Sequence, residues 1–249
     1  MLTAYITQTQ RLLQNPGAPT SLYSTTDITD YINYARGQLA GEAECVRTIG
    51  TISTVIGQTS YSFSSVNIGT PSVTGIDGIL NIPTIQYAVA SGQKWINPRP
   101  WPWFQLYVLN NPVPQNGSPV VWSRFGQGAS PGDTGPAQGG TFYINPPDSV
   151  YTLNCDCICY PILLADDTTP EAIPYPWTDC VPFFAAYWAY LSSQTGARQA
   201  DAERMYNHYE TFLERARKQT NPSVQRWQAS QAQDPAQASK FGIKAGGAG

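Results

Sequence analysis

The side chains in this 249-residue chain whose types could do chemistry are few. Its single histidine, His208, carries all the imidazole chemistry available. Helical spacing places it on the polar side of a helix, with Arg204 one turn earlier and no acid beside it. It therefore reads as a surface residue rather than a general base. Three carboxylates gather at Asp166, Asp167 and Glu171. Such a group could hold a hard cation or serve as the acid pair of a glycosidase. Acidic turns ahead of a helix are also ordinary caps, and that is the preferred reading. Five cysteines are present: Cys45, Cys155, Cys157, Cys159 and Cys180. An odd number behind an N-terminus lacking a signal-like apolar run argues against a disulfide framework. Alternation along a strand puts Cys155, Cys157 and Cys159 on one face about 7 Å apart. Tetrahedral zinc needs turns between its thiols and usually a histidine, so these read as small buried hydrophobes. No phosphate-cradling glycine motif is present, because Gly126–Gly132 lacks the strand-to-helix setting such a loop requires. The expectation is no catalytic residue, no metal and no cofactor.

A second candidate surface is the aromatic stretch around Trp101, Trp103 and Phe104, flanked by Trp95 and Tyr107. It could be a sugar-stacking platform or a core and contact surface, since Trp is enriched at protein contacts. Basic residues barely interleave with these rings, which weakens a reading as a single-stranded nucleic-acid platform.

The elements that must position these groups follow from periodicity. Leu2, Tyr5, Ile6, Thr9, Leu12 and Leu13 recur at helical spacing. Thr26-Asp27 is expected to cap a second helix, whose stripe is Ile28, Tyr31, Ile32, Ala35 and Leu39. From Val46 the texture becomes β. Val46–Ile56 and Ser60–Phe63 read as a hairpin around Gly57-Gln58. Val66–Ile82 reads as glycine-punctuated β, and Ile85–Val89, Gln105–Leu109, Pro119–Arg124, Thr141–Asn145 and Val150–Tyr160 as strands. Asn97–Trp103 is expected not to be helix, because Pro98, Pro100 and Pro102 remove alternate donors. Gly126–Gly140 is expected to be an exposed loop. Thr178-Asp179 should cap a central helix, Val181–Leu191, apolar on nearly every side. A final amphipathic helix spans roughly Ala197–Gln219, with Glu214 and Lys218 as an i,i+4 pair.

The expected fold class is α+β. An antiparallel four-helix bundle is built from both ends of the chain, 1–45 and 166–219. An all-β domain, sandwich- or barrel-like, is inserted at 46–165, and an extended arm closes the chain at 220–249. Charged residues are only 12% of the chain, about half the usual share. Residues 1–197 hold six basic and twelve acidic groups, residues 198–249 eight and five. The arm is basic and nearly devoid of apolar anchors, so it is expected to order only on a partner. No stretch reaches the ~20 apolar residues of a membrane span.

Several segments together resemble a known family. They are the opening Leu2–Leu13 helix, Tyr23–Asn33 (YSTTDITDYIN), Ala35–Ala40, Cys45–Arg47, Phe142–Asp148 (FYINPPD), Tyr151–Leu153, Ile173–Trp177 (IPYPW), Val181–Leu191 and Ala200–Tyr206. The pattern is similar to the head-to-tail adaptor (connector) proteins of short-tailed bacteriophages. It spans the helical parts and the end of the β region, while Ser64–Gly140 departs from it.

The resemblance implies a structural virion protein at the portal–tail junction, made in the bacterial host cytoplasm. It implies a ring, twelve-membered in the family, around a channel for double-stranded DNA. The partners implied are the portal protein, a tail nozzle or tailspike or fibre protein, and neighbouring copies. The arm would enter the portal, with Arg226, Trp227, Lys240, Phe241 and Lys244 as anchors. Trp101, Trp103 and Phe104 would face the tail or a neighbouring copy. The alternatives are a carbohydrate-binding module of a phage tail or surface protein carried by those three rings, and a peptidoglycan hydrolase using Asp166, Asp167 or Glu171.

Overall fold

The first apolar stripe folds as expected. In a computed structural model that describes residues 1–14, 22–89, 92–110, 116–126, 139–192 and 198–220, Leu2, Tyr5 and Thr9 form the buried side of α1 (Leu2–Leu12). Helix α2 (Thr25–Ala43) buries Ile28, Ile32, Ala35, Arg36 and Leu39. Its cap is Ser24, not Thr26-Asp27. The Ser24 hydroxyl accepts the Asp27 N–H at 3.1 Å and the Asp27 carboxylate accepts the Ser24 N–H at 3.1 Å. This reciprocal box needs acceptors three residues apart, a spacing that Ser24 and Asp27 meet and Thr26-Asp27 does not.

The β region differs from expectation in its pairing. Strand β1 (Arg47–Ser53) pairs antiparallel with β8 (Thr152–Pro161) over seven residues. Strand β2 (Ser60–Ser62) pairs instead with β7 (Thr141–Ile144). The expected hairpin is therefore absent, and Gly57, at φ +76°, turns the chain from one sheet into the other. Tyr61 of β2 stacks on Phe142 of β7 at 5.4 Å, and its hydroxyl accepts the Val55 N–H at 3.0 Å.

Beyond a single helical turn, α3 (Pro71–Thr74), the glycine-punctuated segment continues into one long irregular strand, β3 (Ile76–Val89). Strands β4 (Gly92–Trp95), β5 (Asn97–Pro98) and β6 (Val121–Phe125) complete two four-stranded sheets, ordered β1-β8-β3-β4 and β2-β7-β6-β5. There is no barrel. The β5–β6 pairing is parallel and the others are antiparallel.

Two further expectations are corrected. Trp101–Phe104 is a helical turn, α4, with proline in its first positions, and Gln105–Leu109 continues it as a π-helical turn rather than a strand. Prolines in a first helical turn remove only N–H groups that lack intrahelical partners anyway. Of the loop at 126–140, residues 127–138 lie outside the described residues.

Helix α5 (Val181–Ser192) is entered through a 3-10 turn, Trp177–Cys180, and packs against α1, α2 and α6 (Gln199–Thr220). The α6 face Ala202, Met205, Tyr209, Leu213 and Ala216 is buried, and Glu214 and Lys218 pair at 3.9 Å. Buried residues of the helices and of both sheets form one continuous cluster.

Candidate functional site

The acidic turn is engaged in fastening the fold. Asp167 accepts the Met1 ammonium at 2.7 Å, the Thr3 N–H at 2.9 Å and the Thr3 hydroxyl. The ammonium's hydrogen bond, followed by those of Thr3, holds its carboxyl far below the usual carboxylate range. Asp166 Oδ1 accepts the Thr168 hydroxyl at 2.7 Å and the N–H groups of Thr168 and Thr169 at 2.9 and 3.1 Å, closing its own turn, and these bonds, the hydroxyl's first, lower its pKa too. Glu171 receives Arg36 from α2: Nη2 to Oε1 at 2.8 Å, and Nε to both oxygens at 3.2 and 3.1 Å. The Tyr5 hydroxyl and the Ile173 N–H complete its shell at 3.0 and 2.9 Å. Burial first, and then the Glu171 charge, push the Tyr5 hydroxyl well above the usual phenol range. The three carboxylates thus sit in three separate networks, each filled by donors of the chain itself.

Arg36 is the member of these networks that periodicity alone passes over. Its side chain is fully buried, and Nη1 donates to Ile162 O at 2.6 Å and to Asn33 Oδ1 at 3.2 Å. The available signal was a charge seated inside the stripe between Ile32 and Leu39, a position tolerable only with a partner.

Cys155, Cys157, Cys159 and Cys180 have no exposed surface, and Cys45 is buried as well. Burial pushes the thiols of Cys45, Cys157, Cys159 and Cys180 up to about 12, and that of Cys155 still higher. They are protonated fillers of the sheet and helix core. His208 lies exposed on α6, its ring 5.3 Å from that of Phe183.

The aromatic stretch divides by depth. Phe104 has no exposed surface. Trp101 lies over the outer face of the second sheet, 4.6 Å from Tyr143, 4.8 Å from Phe125 and stacked on Phe104. Trp103 is held between Tyr107 at 5.1 Å and the Arg99 guanidinium at 5.1 Å. Trp95, Leu106 and Tyr107 remain more than half exposed.

The end of α6 is fastened to its neighbours. The hydroxyl of Thr220, the last residue of α6, donates to Ala43 O at 2.6 Å and to Ala216 O at 2.8 Å. Arg47 Nη1 donates to Thr220 O at 3.3 Å, and Arg217 Nε to Glu42 O at 2.9 Å. These bonds tie the end of α6 to the end of α2 and the start of β1. The anchors Arg226, Trp227, Lys240, Phe241 and Lys244 lie outside the described residues.

No helix among the described residues is long and apolar enough to cross a membrane. A comparison with curated proteins finds no match. The family model of the SU10 adaptor protein matches residues 2–235, nearly the whole length, in agreement with the resemblance to phage head-to-tail adaptors. The chain belongs to the SU10 adaptor protein family.

Proposed function

We propose that this protein is a ring-forming head-to-tail adaptor that joins the portal to the tail and lines the DNA exit channel. Its four long helices, α1, α2, α5 and α6, are read as an antiparallel bundle forming the wall of the ring, twelve copies around. The observation that carries the reading is the family match combined with the clamped end of α6. A segment too polar to fold alone is launched from a rigid junction of two helices and a sheet, the arrangement a docking arm requires. In this reading Trp227 and Phe241 fill portal pockets while Arg226, Lys240 and Lys244 meet acidic rims. Trp101 and Trp103, with Phe104 behind them, face a tail component or a neighbouring copy. The role is structural, and passage of DNA is sequence-independent.

Truncation after Thr220 tests the arm. Co-sedimentation and negative-stain imaging with the portal of the same phage should show a folded protein that no longer joins portal rings. Attachment equal to that of the full chain would overturn the arm reading.

A further inference from the structure

A cleft of about 450 Å³ opens at the edge of the second sheet, and the arm reading does not use it. Its walls are Ile82 and Pro83 of β3, Pro98–Trp101 at the β5–α4 turn, and Trp122–Arg124 of β6. No acidic side chain lines it, and each polar side chain on its walls is a hydrogen-bond donor: Arg99, Arg124, Ser123 and the two indoles. Both guanidiniums are already oriented, Arg99 by the Trp103 ring and Arg124 by Asn81 Oδ1, which accepts from its Nη1. Among the described residues neither forms an ion pair, although Arg36, Arg47, Arg204 and Arg217 all do.

The backbone beside the cleft is open as well. Arg99 N–H donates to Trp122 O at 2.8 Å and Asn97 N–H to Val120 O at 2.9 Å, so the carbonyls of Val120 and Trp122 face β5. Alternation turns that of Arg124 the same way, but β5 pairs only with Val121 and Trp122. Among the described residues no strand continues along that edge.

We propose that this cleft binds an extended peptide segment of a partner protein through an Asp or Glu carboxylate. The carboxylate sits between the guanidiniums of Arg99 and Arg124, each a charge-assisted donor. The peptide's backbone pairs with Arg124 as a short extension of β5. A free oxyanion would leave most of the volume and the Arg124 edge unused, which favours a peptide. Residues 221–249 are basic whereas this site takes an acid, so the two serve different partners.

The test uses the full chain and calorimetry with blocked seven-residue Thr/Val peptides carrying Asp at each position in turn. At least one Asp peptide should bind, and its Asn counterpart should bind at least ~10-fold more weakly. N-methylation of the peptide nitrogen next to the Asp should reduce binding on one side of that residue only. Arg99→Gln should weaken binding ~10-fold while lowering the thermal midpoint only slightly, because in the free protein it removes the contact with the Trp103 ring but no ion pair among the described residues. Arg124→Gln is a further variant, read only if it folds. Three outcomes would overturn the proposal: no Asp peptide binding below millimolar concentration, equal binding of the Asn peptides, or binding of sulfate or glucuronate at least as tight as that of any peptide.

Discussion

Arg36 of α2 and Glu171 of the turn before α5, 135 positions apart, form a bidentate ion pair with the arginine fully buried. Through the Tyr5 hydroxyl on the same carboxylate, this one pair fastens α1, α2 and the polypeptide returning from the sheets. Its value lies in joining distant segments, because a buried pair gains little over well-packed apolar residues. Losing one member is a different matter.

Arg36→Ala strands a buried carboxylate and is expected to lower unfolding free energy by about 3–5 kcal/mol, read as the shift in urea midpoint. A loss under ~1 kcal/mol would show that water reaches Glu171 and that the pair does not fasten these helices.

Gly75 holds φ +71°, and a Cβ there would meet Pro170 O at 2.7 Å and Ala172 N at 3.1 Å. Gly75→Ala therefore combines backbone strain with a contact against main chain that cannot rotate away. The expected loss is about 1–3 kcal/mol by chemical denaturation. Gly57, also at positive φ but with open space around it, is the control and should show the smaller loss.

The thiols set an alkaline limit. Each of the five has a folded pKa raised above its ordinary 9.0, to about 12 for Cys45, Cys157, Cys159 and Cys180. A raised pKa contributes stability that is complete below the unfolded value and is lost as pH climbs toward the folded one. Stability should fall progressively between pH 9 and 12, and less steeply in Cys→Ala or Cys→Val variants that still fold. Below that range the native thiols should react with a thiol reagent only as fast as the chain opens. A rapid stoichiometric burst from native protein would contradict their burial.

The clamp at the end of α6 gives a functional counterpart. Thr220→Ala with Arg217→Gln removes bonds worth about 1 kcal/mol each to a terminal turn. Global stability should change little. Amide exchange across the last turn of α6 should accelerate, and portal attachment should weaken several-fold even though the arm itself is intact. Unaltered attachment with faster exchange would show that the arm docks independently of its launch point.

Local periodicity is sufficient to locate much of this molecule. The 3.6-residue recurrences of Leu2–Leu12, Ile28–Leu39 and Ala202–Ala216 mark the buried faces of α1, α2 and α6. The two-residue alternation of Cys155, Cys157 and Cys159 marks the buried side of β8. Such signals are legible because each depends on neighbours within one or two turns. The family's adaptor pattern is legible for the same reason, being a set of helix entries and packing residues.

What tertiary structure decided was everything that depends on distant partners. That β1 pairs with β8 and not with β2 depends on a partner about a hundred residues away in the chain. Whether Trp101–Phe104 becomes a turn of helix depends on the outer sheet face it covers, where Trp101 meets Tyr143 and Phe125. The charge of Arg36 is tolerable only because Glu171 is brought to it. Arg99 and Arg124 line one cleft because β6 runs beside the β5–α4 turn. Residue types and spacings state which segments must hide a face or a charge; only the closed fold determines against what, because burial and charge pairing are settled between surfaces that the chain brings together last.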